Sequence, residues 1–211
     1  MRAPPTAIPS VYHRPMDPSP DLTAFVLAGG KSTRMGADKA FVGYDGRTLL
    51  ARALDLARSV TPDVRIVGSS EKFASFAPVV EDIFRDCGPL GGIHAALRAS
   101  PVELNLMLAV DTPFVSSSFL QYLIRQARRE LAAVVVVPRL NTGWQPLCAM
   151  YRREFADAAE LTLRAGKNKI DRLFDVVRTR VIDQQELEAA GFFPALFRNL
   201  NTPQELEAER W

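Results

Sequence analysis

Gly29-Gly30 closes the apolar run Phe25–Ala28, and Lys31, Arg34 and Lys39 follow within ten residues. A strand that ends in glycines and small residues leaves backbone N–H groups facing whatever docks above it, and several cations beside them suit a polyphosphate. The spacing is not that of a Walker A loop, which needs a glycine where Phe25 stands, and the G-x-G-x-x-G fingerprint is absent. A second chemical group is Asp111 in the run LMLAVDTPF. A carboxylate directly after a buried strand projects at the rim of its sheet, and Thr112-Pro113 then turn the chain away. Such an aspartate either forms a turn or, opposite a cationic phosphate loop, holds Mg²⁺, which takes one or two carboxylates and completes its shell with water and phosphate oxygens.

Three further groups have types and spacings of interest. Glu81-Asp82 precedes DCGPLGG, whose Gly88, Gly91 and Gly92 let backbone approach a flat ligand and open a helix N-terminus toward it, or simply make a turn. Trp144 with Gln145 is a stacking surface or an apolar anchor between elements. Asn199 and Asn201 share a side if their segment is extended, so their amides can assist a metal or a heterocycle; capping of a last helix is the alternative. His13 and His94 are the only histidines. That argues against a histidine zinc site and a serine–histidine triad, and leaves carboxylates, cations, amides and a hard metal ion to carry any catalysis.

The elements that must position these groups alternate. Strand-like runs at Ala24–Leu27, Val64–Gly68, Val79–Val80, Leu104–Val110 and Ala133–Val137 are separated by helical patterns at Thr48–Val60, Gly91–Ala99 and onward from Ser116–Ser118. Alternation of this kind predicts right-handed crossovers and an α/β fold: a mostly parallel sheet with helices on both faces, binding ligands beyond the carboxyl ends of its strands. After Pro138 the rhythm breaks. Arg139–Trp144 reads as a loop or hairpin tip, Gln145–Tyr151 as a strand, Glu154–Arg164 and Lys169–Val176 as helices, then strand Thr179–Asp183 and helix Gln184–Ala190. Thr202-Pro203 with Glu205 begins a terminal helix.

The chain has 211 residues, 47% of them hydrophobic and 24% charged, which suits one domain over residues 23–211 with a sizeable core. Residues 1–22 carry six of the fifteen prolines and read as a disordered tail. A formal charge of +2 gives no case for nucleic acid or an anionic membrane, and no apolar run is long enough to span a bilayer. Cys87 and Cys148 have neither metal-ligand spacing nor a disulfide framework, so reduced thiols and a cytoplasmic location are expected.

Four segments together, LAGGKSTRMGADK, EDIFRDCGPLGGI, AVDTPF and the pair QPLCAMY with NLNTPQEL, resemble the molybdenum cofactor guanylyltransferase family. The likeness spans roughly residues 24–209. It implies a three-layer, Rossmann-like sheet of the nucleotide-diphosphosugar transferase kind, with GTP and Mg²⁺ as co-reactants. It further implies attack by the terminal phosphate of molybdopterin on the α-phosphate of GTP, release of pyrophosphate and formation of a guanine dinucleotide. Carried over by position, Leu27, Ala28, Gly29 and Gly30 would be main-chain contacts to nucleotide. Lys39 would serve the phosphates, Asp82 the nucleoside and Asp111 the metal; the residues themselves add Arg34 beside the phosphates, and Trp144, Gln145, Asn199 and Asn201 as candidates to face the acceptor. Partners so implied are molybdopterin and cofactor-delivery or molybdoenzyme proteins. The chain departs from the family after the second strand, where Gly68-Ser69-Ser70 replaces a common asparagine. Rival readings are a cytidylyltransferase for the same or a related phosphorylated acceptor, and a nucleotide-binding adaptor without catalysis.

Overall fold

Every residue of the first strand, β1 (Leu22–Leu27), is buried, and its side chains alternate between two cores. Leu22, Ala24 and Val26 enter one, Phe25 and Leu27 the other, as expected of a strand covered on both faces. This computed structural model describes residues 20–29 and 38–199. Gly30, Lys31, Arg34, Asn201, most of the proline-rich segment and the expected terminal helix lie outside the described residues.

After β1 come the hairpin strands β2 (Gly43–Tyr44) and β3 (Arg47–Thr48), α1 (Leu49–Arg58), β4 (Asp63–Val67), α2 (Ser70–Phe73) and β5 (Val79–Val80). Asp45 and Gly46 turn the hairpin, both at positive φ (50° and 74°), the pairing that a tight two-residue turn demands. α3 (Gly88–Ala99), β6 (Leu104–Ala109) and α4 (Ser117–Arg129) follow. The later half holds β7 (Val135–Leu140), β8 (Gly143–Trp144), β9 (Cys148–Arg152), α5 (Phe155–Arg164), β10 (Thr179–Asp183) and α6 (Gln184–Ala189).

The main sheet runs β10-β7-β9-β6-β1-β4-β5, with β8 paired to β7. β4 and β6 flank β1 in parallel, β5 is parallel to β4, and β10 to β7. Only β9 and β8 run against their neighbours. Residues from α1, α4 and α6 line one core, and residues from α3 and α5 line the other, giving three layers. Side-chain caps start the helices where the sequence placed them: Thr48 accepts from the Ala51 N–H at 3.2 Å, and Ser116 from the Phe119 N–H at 3.3 Å.

Several boundaries differ from the sequence expectation. α3 starts at Gly88, not Gly91, because Pro89 fits a first turn that needs no N–H from it. β7 continues through Pro138 to Leu140: pairing with β9 has ended at Val136, and the Pro138 carbonyl accepts the Gln145 N–H. β9 begins at Cys148, since the Cys148 N–H first closes a turn onto the Gln145 carbonyl. The helix expected at Lys169–Val176 is only a 3₁₀ turn over Ile170–Leu173.

Candidate active site

Strand register brings the site together. Leu27 lies level with Val67 and Ala109, and Val67 with Val80. The four parallel strands thus end on one line, and Gly29, Asp82 and Asp111 each stand two residues beyond it. This is the carboxyl edge at which such sheets bind ligands.

Asp111 is held from both sides. The Val110 N–H donates to the Leu27 carbonyl at 3.2 Å, and the Thr112 hydroxyl reaches back to the Ala109 carbonyl at 2.9 Å. Across from it, Lys39 Nζ lies 3.3 Å from Asp111 Oδ2, with both side chains about three-quarters buried. Lys39 opens a 3₁₀ turn, Lys39–Phe41, capped by Asp38, whose carboxylate accepts the Ala40 N–H at 3.2 Å. Lys72 Nζ meets the same carboxylate at 2.8 Å, tying α2 to the turn that presents Lys39. Sequence reasoning missed Asp38 and Lys72; the one local signal was an aspartate at a capping position.

The expectation of open N–H groups at the end of β1 is corrected for two residues. The Ala28 and Gly29 N–H groups both donate to the Val67 carbonyl, at 3.0 and 3.1 Å, because pairing to β4 extends past the strand ends. Their carbonyl oxygens are then what they offer a ligand, and these suit its N–H donors. Gly29 also lets two backbones approach: a methyl group on it would sit 3.7 Å from Gly68 Cα.

Asp82 is half-buried, and its carboxyl is pushed above its ordinary value by burial, with no offsetting donor among the described residues. Gly92, in the first turn of α3, keeps the neighbouring space open. A methyl group there would lie 3.6 Å from Asp82 Oδ1 and against Val67 and Leu27. Glu81 is occupied: it accepts the Ser70 N–H at 2.9 Å at the start of α2, and that bond holds its carboxyl low. Of the adjacent pair, Asp82 is the one left for a ligand. Gly68 has its own reason. A methyl group on it would come within 2.8 Å of the Phe73 ring, so the fold excludes a side chain at that point.

Trp144 and Gln145 lie on the same edge, since the Leu147 carbonyl accepts the Ala109 N–H at 2.7 Å beside the end of β6. Trp144 packs on Phe174 (centroids 4.9 Å apart) and lies under the Arg139 guanidinium at 4.7 Å, so it is an anchor between elements. Asn199 is exposed. The preceding Arg198 stacks its guanidinium 4.5 Å from the centroid of Phe114, three residues past Asp111, which brings the end of the described chain near this edge.

Among the described residues no three or more His, Cys, Asp or Glu side chains converge as a metal cage. A single hard carboxylate beside a lysine at the sheet edge is still a donor set that fits Mg²⁺, whose remaining ligands come from water and substrate oxygens. Neither cysteine is in a disulfide, and burial pushes the Cys148 thiol up to about 12, so it stays protonated.

Residues 24–184 match the family model described as a MobA-like NTP transferase domain. The chain belongs to this family. A molybdenum cofactor guanylyltransferase from Desulfosudis oleivorans is 35% identical over 189 residues, covering 88% of this chain and 93% of that protein. Among solved structures, molybdopterin-guanine dinucleotide biosynthesis protein A from Archaeoglobus fulgidus superposes with a TM-score of 0.75 at 26% identity, over 88% of this chain and 95% of that one. A 4-diphosphocytidyl-2C-methyl-D-erythritol synthase from Anaerococcus prevotii shares the fold at 13% identity, TM-score 0.66, over 90% and 94% of the two chains. The α/β architecture expected from the sequence is thus that of the nucleotidyltransferases, and this member of the MobA-like family has its Lys39–Asp111 pair at the carboxyl edge of its sheet.

Proposed function

We propose that the chain transfers GMP from GTP to the terminal phosphate of molybdopterin, releasing pyrophosphate and forming the guanine dinucleotide of the cofactor. The observation that carries this reading is the half-buried Asp82 carboxylate, with no hydrogen-bond partner among the described residues, standing level with the Lys39–Asp111 pair at one sheet edge. Guanine presents two adjacent N–H donors on its pairing edge, which one carboxylate accepts together. Cytosine presents only one such group. The Ala28 and Gly29 carbonyls, just past the end of β1 and two strands over from β5, add acceptors.

An oxygen of the acceptor phosphate attacks the α-phosphorus, and the bond to the β-phosphate breaks, its electron pair leaving on pyrophosphate. The nucleophile is already anionic, so no strong base is needed; alignment and relief of charge repulsion carry the rate. Lys39 supplies a cation to the leaving phosphates, with Arg34 from the preceding loop. Asp111 would hold Mg²⁺, which when bound neutralises phosphate charge. Trp144 and Gln145, with Asn199, border the side where the acceptor would enter; the Asn201 amide, outside the described residues, is assigned to the same acceptor. Among the described residues no helix is long and apolar enough to cross a membrane, and the unpaired thiols suit a reducing compartment; we place the reaction in the cytoplasm.

The test mixes purified protein, Mg²⁺ and molybdopterin with each nucleoside triphosphate in turn and follows pyrophosphate. Release with GTP well above CTP and ATP is expected. Release with CTP at the GTP rate overturns the guanylyl assignment, and none with any triphosphate leaves a binding protein without catalysis.

A further inference from the structure

The loop from Asp82 to Cys87 leads into α3. Phe84 is the contact point. Its ring meets the His94 ring edge-on, with centroids 5.1 Å apart and planes at 71°, and the Arg164 guanidinium lies 5.9 Å from its centroid. Its carbonyl oxygen closes on the first turn of α3, where a methyl group on Gly91 would come within 2.8 Å of it.

His94 is 1% exposed, and its Nδ1 is buried without a hydrogen-bond partner. Its Nε2 lies 3.4 Å from Glu160 Oε2 on α5. Glu160 is clamped in turn by Arg98 and Arg164, each at 2.7 Å, and Arg98 also meets Asp157 at 2.8 Å. A buried imidazole with one nitrogen unsatisfied costs stability that a leucine at the same place would not. What the imidazole adds is a flat edge for Phe84 and a tether to α5.

We propose that His94 is a positioning residue for nucleobase selection. Its buried ring is the seat of Phe84, and the seat of Phe84 sets where the Asp82 carboxylate stands. His94 touches no nucleotide; it acts two residues away, through the loop. The inference rests on the assignment of Asp82 to the base in the function proposed above.

Three variants test it by steady-state kinetics with GTP and CTP. His94→Ala removes the seat: KM for GTP rises and the GTP-to-CTP ratio of kcat/KM narrows, each about fivefold, the worth of one aromatic contact, while kcat at saturating GTP stays within about twofold. His94→Phe keeps an aromatic seat without the tether and retains most of the wild-type ratio. Phe84→Ala, at a half-buried loop position, narrows the ratio as His94→Ala does and stands in for it if that variant does not fold. A ratio unchanged in Phe84→Ala, or in a folded His94→Ala whose melting temperature has dropped, overturns the inference and leaves His94 a packing residue. So does a His94→Phe ratio as narrow as that of His94→Ala. The wild-type protein separates the two levels of argument, since an absence of GTP preference there removes the Asp82 assignment itself.

Discussion

Lys72 Nζ lies 2.8 Å from the Asp38 carboxylate, and the same carboxylate caps the turn that begins at Lys39. A surface ion pair is therefore wired, through one cap, to the lysine that meets Asp111. Exposed pairs add little to stability; here the pair's consequence is geometric, because it fixes the direction from which the Lys39 ammonium approaches the strand ends.

Removing the cap loosens that approach without removing any charge from the phosphates. Asp38→Ala is expected to cost about 1 kcal/mol of stability, the usual worth of a capping carboxylate. It is also expected to raise KM for GTP severalfold with little change in GMP binding. Urea unfolding and calorimetric titration read the two effects separately. If GMP binding weakens as much as GTP binding, Asp38 serves the nucleoside pocket or the fold rather than Lys39.

The Lys39–Asp111 pair itself divides into two roles. Asp111→Asn keeps the shape and loses the charge, and pyrophosphate release should fall by about 10²–10³, the usual loss when one electrostatic element leaves a reacting centre. Lys39→Ala should weaken GTP far more than GMP if, as proposed, its ammonium serves the β- and γ-phosphates. Wild-type turnover of Asp111→Asn at limiting Mg²⁺ would remove its metal role. Equal losses for GTP and GMP in Lys39→Ala would move that lysine to the nucleoside.

What was legible in the sequence is what local pattern encodes. Asp111 announced itself by following an apolar run, and Lys39 by its distance from Gly29-Gly30. The parallel strands and their covering helices followed from alternation alone. The contacts that support the site join distant residues: Lys72 to Asp38 across 34 positions, His94 to Glu160 across 66. No periodicity marks such pairs. β9 was legible as a strand, but its antiparallel place between β6 and β7 was not, since a hairpin tip gives no sign of which strands its return arm will separate. The use of the Ala28 and Gly29 N–H groups by Val67 was equally invisible, because it depends on how far parallel pairing runs past the last apolar residue.

Gly68 shows how packing limits a position at the strand end. Phe73 is 1% exposed, and its ring fills the space into which a side chain at residue 68 would grow. Gly68→Ala should therefore cost about 1–3 kcal/mol through overpacking, and Gly68→Ala combined with Phe73→Leu should recover part of that loss. Chemical unfolding of the single and double variants measures both. An unchanged midpoint in the single variant would mean that the Phe73 ring can move aside.

The α3–α5 contact predicts how stability depends on pH, in two separate windows. Burial holds the His94 imidazole below its ordinary value of 6.5, so as pH falls through that value the unfolded chain takes up a proton before the folded one does. Stability must then fall as pH drops below about 6.5. Glu160 acts lower down. Bonds from Arg164, Arg98 and His94 bring its carboxyl from 4.5 to about 2, so its contribution is full above 4.5 and is lost as pH falls from there toward 2. Asp82, raised by burial, opposes that second loss, because its folded form binds a proton more readily than the unfolded chain. The upper window is thus the cleaner one to assign. Melting temperatures from pH 7.5 down to pH 5 should decline for the wild-type protein and stay flatter for His94→Phe, which has no proton to take up at that position. Parallel curves for the two proteins would show that His94 does not titrate on unfolding, and that some other group causes the decline.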